Sequence, residues 1–254
     1  THGEREILRM RVLSAIMRPW GRLLWPHLPV GTGLWAKACR YCARLCMDPA
    51  ERMMTWRTYF HGRALNRLLA PSFRPPEDPY RVGLDYLSSC RNSDLLDRYQ
   101  FGLIKTFLSN DLLFKNEKTA SYHRTHNTTP LVDRRLVELA LRIPSHFQIR
   151  KPSAVSDGIK LLYKEALRDT VPSAILSRKK RRGFTQPTST WFRSGLREFL
   201  VDTLQCRKAR ERGIVDRAET SRLIDAHLSG KQNLYYPLSS LLIFELWMQY
   251  HYDD

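Results

Sequence analysis

One short basic segment of the chain, residues 177–191 (SRKKRRGFTQPTSTW), carries the residue types with the clearest chemical use. It places five consecutive cations directly before a glycine and a phenylalanine: Arg178, Lys179, Lys180, Arg181, Arg182, Gly183 and Phe184. Cationic side chains on a glycine-containing turn can contact several phosphate oxygens, and a lysine there can stabilise charge that develops on a leaving group. Taken alone, such a charge run is more often a solvated basic loop, a nuclear-import signal or a nucleic-acid-binding patch.

Apolar residues recur with helical spacing along much of the chain, which predicts helices. These helices must position the basic segment. Asp133 has the residue type and place of an N-cap, and Pro172 opens a short helical turn. We predict longer helices over residues 6–17, 34–46, 50–69, 95–107, 134–142, 159–168, 193–205, 216–228 and 238–250. No internal repeat and no run of alternating strand residues is found in the sequence, so the chain is predicted to be mainly α-helical.

Composition narrows the class of protein. The 254 residues carry a net charge of +17, from 42 Lys and Arg against 25 Asp and Glu, which favours anionic partners. Five cysteines leave one unpaired, which favours a reducing compartment, and we expect a cytoplasmic protein. No stretch approaches the roughly 18 apolar residues that span a bilayer, and there is neither a secretory signal nor an initiator Met. We therefore expect this chain to be part of a longer protein.

Three groups of residues suggest a metal site or a base-stacking platform, but the sequence gives no further support for any of them. Cys39, Cys42 and Cys46 share one helical face, but no matching fourth ligand lies nearby, and small buried helix residues are the better interpretation. His123 and His126 lack a third ligand at a diagnostic spacing, so no metal site is predicted. Four aromatic residues lie in apolar, helix-like surroundings and are predicted to pack in the core instead of forming a base-stacking platform: Trp191, Trp247, Tyr235 and Tyr236.

The basic turn resembles the Arg-x-Lys-x-Gly-Phe turn of the glutamine-dependent asparagine synthetase family. Further blocks that resemble this family occur in order across residues 95–250, with family-like spacing. They are residues 107–118 (FLSNDLLFKNEK), 130–140 (PLVDRRLVELA), 160–167 (KLLYKEAL), 171–178 (VPSAILSR), 191–197 (WFRSGLR), 227–230 (HLSG) and 241–247 (LLIFELW).

The resemblance implies a mainly α chain that forms the C-terminal helical part of an α/β adenine-nucleotide synthetase domain. That domain is of the PP-loop ATP pyrophosphatase type, and its parallel sheet would lie mostly upstream of this chain. Residues 1–75 would be a helical segment inserted after the ATP-binding core, and residues 76–254 the C-terminal synthetase-like portion. The family's Ser-Gly-Gly-x-Asp-Ser pyrophosphate loop and its N-terminal glutaminase domain are not in these 254 residues, and we expect the parent protein or a partner to supply them.

The resemblance also implies an activity. ATP with Mg²⁺ would activate a carboxylate, by default that of aspartate, as an acyl-adenylate with release of pyrophosphate, and ammonia from glutamine or another amine would then form the amide. Lys180 would be the catalytic residue, with phosphate-binding partners Arg178, Lys179, Arg181, Arg182 and Gly183. The substrate would be bound by Lys115, Glu117, His126 and Asp133. A homodimer is a further expectation.

Two departures from the family pattern bear on the substrate and the mechanism. His126 and Thr128 stand where the family has a glutamate and an arginine, so a carboxylate other than aspartate, on a peptide or a saccharide, is an open alternative, as is intramolecular amide formation. The basic turn is one residue longer than usual. Counting from Arg178 makes Lys180 the family lysine, whereas counting back from Gly183 places Arg181 there; we favour Lys180, because lysine is a compact ammonium. The alternative function is a catalytically inactive relative that binds nucleic acid or a membrane surface through its charge.

Overall fold

A computed structural model describes residues 34–45, 47, 58–60, 62–76, 81–90, 94–149, 158–177 and 186–253. The described residues fall into two compact units, and each is treated by itself. The N-terminal unit is formed by described residues between 81 and 177. The C-terminal unit combines described residues between 34 and 76 with residues 186–253. The division into residues 1–75 and 76–254 stays a prediction, and the predicted helix over residues 6–17 lies outside the described residues.

The prediction of a mainly α-helical chain is confirmed. Within the described ranges, β-pairing is limited to two isolated antiparallel bridges, Leu69 with Val215 and Ile149 with Ile159. The helices are α1 (Leu34–Leu45), α2 (Gly62–Leu68), α3 (Arg81–Ser89), α4 (Leu95–Leu103), α5 (Phe114–Tyr122), α6 (Arg134–Arg142), α7 (Ser145–Gln148), α8 (Leu161–Ala166), α9 (Ser173–Leu176), α10 (Thr188–Trp191), α11 (Arg197–Leu204), α12 (Arg207–Arg212), α13 (Arg217–Leu228) and α14 (Tyr235–Tyr252). None of these helices combines the length and the apolar character that crossing a membrane requires.

The N-terminal unit is organised by one long helical stretch. A π-helical segment, Ile104–Leu113, joins α4 to α5 without a break. The hydroxyl of Thr106 donates to the carbonyl of Gly102 at 2.7 Å, and that of Ser109 donates to the carbonyl of Ile104 at 2.6 Å. These bonds occupy backbone acceptors along the wider turns of the segment. The sequence predicted the start of this helix, but its continuation to Tyr122 and its π-helical middle were missed.

Asp94 ties the start of this stretch to a later part of the same unit. One of its carboxylate oxygens accepts a hydrogen bond from the Leu96 amide at 2.8 Å, which caps α4. The other oxygen accepts from the Ser145 hydroxyl, at the start of α7, at 2.6 Å. One side chain therefore fixes both a helix end and the approach of two helices.

The C-terminal unit is built around a leucine-rich core. Backbone hydrogen bonds bring α2 to the turn before α13: Ala70 donates to Ile214 at 3.0 Å, and Asp216 donates to Leu68 at 2.7 Å. The buried side chains come from α2, α10–α11, α13 and α14, and they are Leu68, Phe192, Leu200, Leu223, Ile224, Leu234, Leu238, Leu241 and Leu242. Together, α11, α13 and α14 enclose this core, and a helix was predicted in each of these three places.

His227 closes the turn between α13 and α14. Its side chain is completely buried, and its Nδ1 accepts a hydrogen bond from the Leu234 amide at 3.0 Å. Because Nδ1 is an acceptor, the neutral ring carries its proton on Nε2. The backbone of the same turn is held from outside by Arg193, which donates to the His227 carbonyl at 2.8 Å. Burial, and next the nearby charge of Arg193, lower the pKa of His227.

The predicted core positions of three aromatic residues are wrong. Trp191, Tyr236 and Trp247 are exposed by 41%, 42% and 48%. For Tyr236 and Trp247 the reason is that α14 is apolar around most of its circumference, and it buries the face that carries Leu238 and Leu241 instead. Tyr235, by contrast, packs partly buried against the core, as predicted.

The cysteines in and after α1 agree only in part with the prediction that they are small buried helix residues. Cys42 is exposed, which contradicts its predicted burial, while Cys39 is half-buried and Cys46 lies outside the described residues. His123 and His126 are both exposed. Among described side chains, no three His, Cys, Asp or Glu residues come together as a metal-binding group.

The buried, neutral state of His227 predicts an acid-sensitive C-terminal unit. Because its folded pKa lies below the unfolded value of about 6.5, both states are neutral above that pH and the stabilisation is complete. As the pH falls below about 6.5, the unfolded chain takes up the proton first, so stability falls until the pH passes the folded pKa. In urea unfolding followed by circular dichroism between pH 7.5 and 5, His227→Gln should lose less stability than the wild type. Parallel pH profiles for the two proteins would contradict this.

Candidate functional site

The basic turn that carries the predicted chemistry lies outside the described residues. This applies to the whole predicted phosphate-binding set: Arg178, Lys179, Lys180, Arg181, Arg182 and Gly183. The described chain stops after α9 and resumes just before α10, and each of these short helices begins directly after a proline, Pro172 and Pro187. The helical turn predicted after Pro172 is therefore confirmed, while the roles assigned to the basic residues stay predictions.

Lys115 is the second residue of α5, two residues after the end of the π-helical segment. Its Nζ is 2.7 Å from Asp111 Oδ1, an i, i+4 ion pair, and its side chain is 63% exposed. Exposed pairs of this kind contribute little net stability, typically about 0.3–0.5 kcal/mol on a helix. Lys115 can consequently exchange Asp111 for a carboxylate of a substrate at small cost.

Glu117 is also exposed on α5. Its only hydrogen bond to a described residue is a long one, accepted by Oε1 from the Ser121 hydroxyl at 3.4 Å. Lys118, the next residue, lies 5.4 Å from the centre of the Phe114 ring. The negative charge of Glu117 is therefore not consumed by an ion pair with any described residue, and it remains accessible to a ligand.

His126 follows a sharp turn at the end of α5. Arg124 adopts the left-handed conformation with φ of 52°, and the amide of Thr125 donates to the Ala120 carbonyl at 2.9 Å. The chain then runs exposed through His126 and Thr128. Neither of these two side chains forms a hydrogen bond or ion pair with another described residue, so the loop presents them to solvent.

Asp133 caps α6, as predicted. Its Oδ1 accepts from the Arg135 amide at 2.9 Å, and its two oxygens receive the Arg135 guanidinium at 3.1 and 3.2 Å. These hydrogen bonds, first from the side chain and then from the backbone of Arg135, hold the pKa of Asp133 below its usual value. Asp133 therefore has a structural role in this unit, and its predicted role in substrate binding stays a prediction.

An apolar groove lies in the same unit, with α4 and the π-helical segment on one side and α6 on the other. Its volume is about 340 Å³, and it is lined from the π-helical side by residues such as Phe107 and Leu112 and from α6 by Leu136 and Ala140. The sequence predicted the apolar face of α6, but not that it would line a groove with the π-helical segment. Within the described part of the unit, no hydrogen bond or ion pair joins any two of Lys115, Glu117, His126 and Asp133.

A comparison with protein families supplies the deciding observation. The model of the family described as asparagine synthase matches residues 18–249, and this span includes the basic turn and all the residues of the N-terminal unit. The chain belongs to the asparagine synthase family. The resemblance seen in the sequence blocks is thereby confirmed.

Individual relatives are distant. A Mycobacterium bovis protein and a Mycobacterium tuberculosis protein, both described as glutamine-hydrolyzing asparagine synthetases, are 27% identical over 245 residues, or 96% of this chain and 36% of each relative. Asparagine synthetase 1 of Bacillus subtilis, also glutamine-hydrolyzing, is 22% identical over 173 residues, or 68% of this chain and 26% of the relative. The chain thus spans about a third of the length of the mycobacterial relatives. No solved structure matches it significantly.

Two substitutions test the capping role of Asp133. Asp133→Ala removes the acceptor for the Arg135 amide, so hydrogen exchange of the first amides of α6 should accelerate in the full-length protein. Asp133→Asn should restore most of the protection, because asparagine caps helices about as well as aspartate. Amide exchange read by mass spectrometry checks both. Equal exchange in wild type and Asp133→Ala would show that the cap does not hold this helix.

Proposed function

We propose that the full-length protein is an ATP-dependent amide-forming ligase of the asparagine synthase type. The observation that carries this proposal is the family match across residues 18–249, together with relatives described as glutamine-hydrolyzing asparagine synthetases. This chain would supply the helical C-terminal part of an α/β synthetase domain. The parallel sheet, the pyrophosphate-binding loop and the glutaminase domain would come from the rest of the parent protein.

The proposed reaction has two steps. The carboxylate of the acceptor attacks the α-phosphorus of ATP, the bond to the β-phosphate oxygen breaks, and pyrophosphate leaves. Ammonia then attacks the carbonyl carbon of the acyl-adenylate, the carbon–oxygen bond to AMP breaks, and the nitrogen loses a proton. Lys180 would stabilise the negative charge that develops on the leaving group in the first step and on the carbonyl oxygen in the second. The neighbouring phosphate-binding residues would be Arg178, Lys179, Arg181, Arg182 and Gly183.

Mg²⁺ is expected as the companion ion of ATP. The described residues do not provide a group of three His, Cys, Asp or Glu side chains that fits it. Hard cations of this kind are commonly held by substrate phosphates with one or two carboxylates and water. We therefore assign no Mg²⁺ ligand to the described residues and derive no step of the reaction through the ion.

The acceptor would be recognised in the N-terminal unit by Lys115, Glu117, His126 and Asp133. Aspartate is the default acceptor, with glutamine as the nitrogen source. Because neither His126 nor Thr128 can reproduce a glutamate–arginine pair, we also propose another carboxylate, carried on a peptide or a saccharide, as an alternative acceptor. A cytoplasmic location and a homodimer complete the proposal.

Pyrophosphate release by the full-length protein tests the activity and its catalytic lysine together. With ATP, Mg²⁺ and glutamine, release should depend on an added carboxylate, aspartate first. Lys180→Ala should slow release at least about 100-fold, the usual size of the loss of one charge-stabilising group. The matched control is Lys231→Ala, an exposed lysine outside the predicted phosphate-binding and substrate-binding sets, which should stay within a few-fold of the wild type.

Each other outcome has a defined meaning. Normal release by Lys180→Ala with loss in Arg181→Ala would move the catalytic position to Arg181. Release that needs a cell extract, and not aspartate, would assign a different acceptor. Absence of release with every carboxylate and with extract would refute the proposed function.

A further inference from the structure

A second cavity lies in the C-terminal unit, and its lining includes none of the residues assigned to the proposed reaction. Its volume is about 280 Å³, and it is enclosed by the end of α11, by α12, by the start of α13 and by α14. Apolar side chains, among them Leu204, Leu241 and Phe244, form part of its wall. The rest of the wall is unusually cationic, because it includes Arg210, Arg212 and Arg217 from two consecutive helices.

One of these cations has a structural partner. The Arg212 guanidinium donates to the carboxylates of Glu245 and Asp253, and all three side chains are at most 15% exposed. Although burial opposes it, hydrogen bonding to these two carboxylates raises the pKa of Arg212. Glu245 also accepts from Gln249 at 2.8 Å. This cluster fixes Arg212 in the cavity wall and leaves the Glu245 carboxylate largely committed to groups of its own protein.

Neither Arg210 nor Arg217 pairs with a carboxylate in the way that Arg212 does. Arg210 is exposed, and the only hydrogen bond of its side chain to a described residue is a long one, from Nε to the Cys206 carbonyl at 3.4 Å. Arg217 is exposed and forms no ion pair with a described carboxylate. Since Arg212 is already paired with Glu245 and Asp253, the lining keeps two guanidiniums, those of Arg210 and Arg217, that form no ion pair with a described carboxylate. Gathering like charges around one small cavity costs free energy, and a bound anion would relieve this repulsion.

The volume of the cavity and the side chains of its wall restrict which anions it can bind. A volume of about 280 Å³ lies just below the usual range of 300–1,000 Å³ for sites of drug-sized molecules, so the cavity suits a small ligand. The apolar side of the wall favours a ligand that also has an apolar body. We propose that this cavity binds a small organic oxyanion, a carboxylate or a phosphate monoester that carries an aromatic or branched aliphatic group.

In the proposed complex, Arg210 and Arg217 hold the oxyanion at the mouth of the cavity, and Phe244 contacts the apolar group. Planar guanidiniums suit this task, because each can offer two parallel donors to a carboxylate or phosphate. The site does not depend on the proposed ligase activity, since none of its residues takes part in that reaction.

Calorimetric titration of the full-length protein with phenyl phosphate, benzoate and inorganic phosphate tests the site. At least one of the two aromatic anions should bind about tenfold or more tightly than inorganic phosphate, because burying an aromatic ring contributes about 1.5–3 kcal/mol, which is roughly 10- to 100-fold in affinity. Preference for benzoate or for phenyl phosphate would assign the carboxylate or the phosphate ester. No binding of either, or equal affinity for inorganic phosphate and both aromatic anions, would overturn the proposal.

Matched variants localise the binding. The double substitution Arg210→Gln with Arg217→Gln should weaken aromatic-anion binding at least tenfold. Arg207→Gln is the control, because Arg207 lies on the same helix α12 but pairs with Glu211 at 3.5 Å and does not line the cavity. Phe244→Leu should weaken the aromatic anions and leave inorganic phosphate unchanged. Unaltered thermal unfolding would show that the variants fold, and an equal effect of the double variant and Arg207→Gln would refute the site.

Discussion

Burial of one face of α14 is the interaction on which the C-terminal unit depends. Leu238, Leu241 and Leu242 pack on this face against Leu200 of α11 and Leu223 of α13. Each such leucine contributes about 1.5–3 kcal/mol when it is removed from water. Since isolated helices are marginal in water, tertiary packing of this kind is what holds an 18-residue helix such as α14 in place. The helix then acts as the scaffold to which the polar features of the unit are attached.

Two buried polar side chains, one neutral and one paired with a cation, hold neighbouring elements against α14. At its start, His227 accepts the Leu234 amide only as a neutral ring, so the turn into α14 depends on the absence of a charge. In its second half, the buried carboxylate of Glu245 is paired with the Arg212 guanidinium. A buried ion pair is costly to desolvate and is not a strong source of stability, but losing one partner would leave an uncompensated charge. The same pair positions α12 against α14, and it thereby shapes the cavity that Arg210 and Arg217 line.

The sequence predicted most helices because their apolar spacing and end signals agree. Asp133 illustrates this, since its residue type and position alone identified the start of α6. The π-helical segment was not predictable, because the apolar pattern continues through it and the change in turn width depends on hydroxyl-to-carbonyl bonds. The prediction that the aromatic residues of α14 are buried is wrong for another reason. In a helix that is apolar on most sides, periodicity does not show which side is buried. The sequence therefore places Trp247 and Tyr236 in the core.

In the candidate site, too, the sequence identifies the residues but not the contacts that hold their side chains. Motif blocks placed Lys115 and Asp133 on neighbouring helical elements, but only the structure shows how differently they are held. Asp133 is committed to its own helix by Arg135, whereas Lys115 is restrained by one exposed pair with Asp111. With His126 and Thr128 exposed in place of a glutamate and an arginine, Lys115 is the cation of this unit's predicted substrate set. Of the two side chains, Lys115 is therefore the one that a ligand can engage without breaking a helix cap.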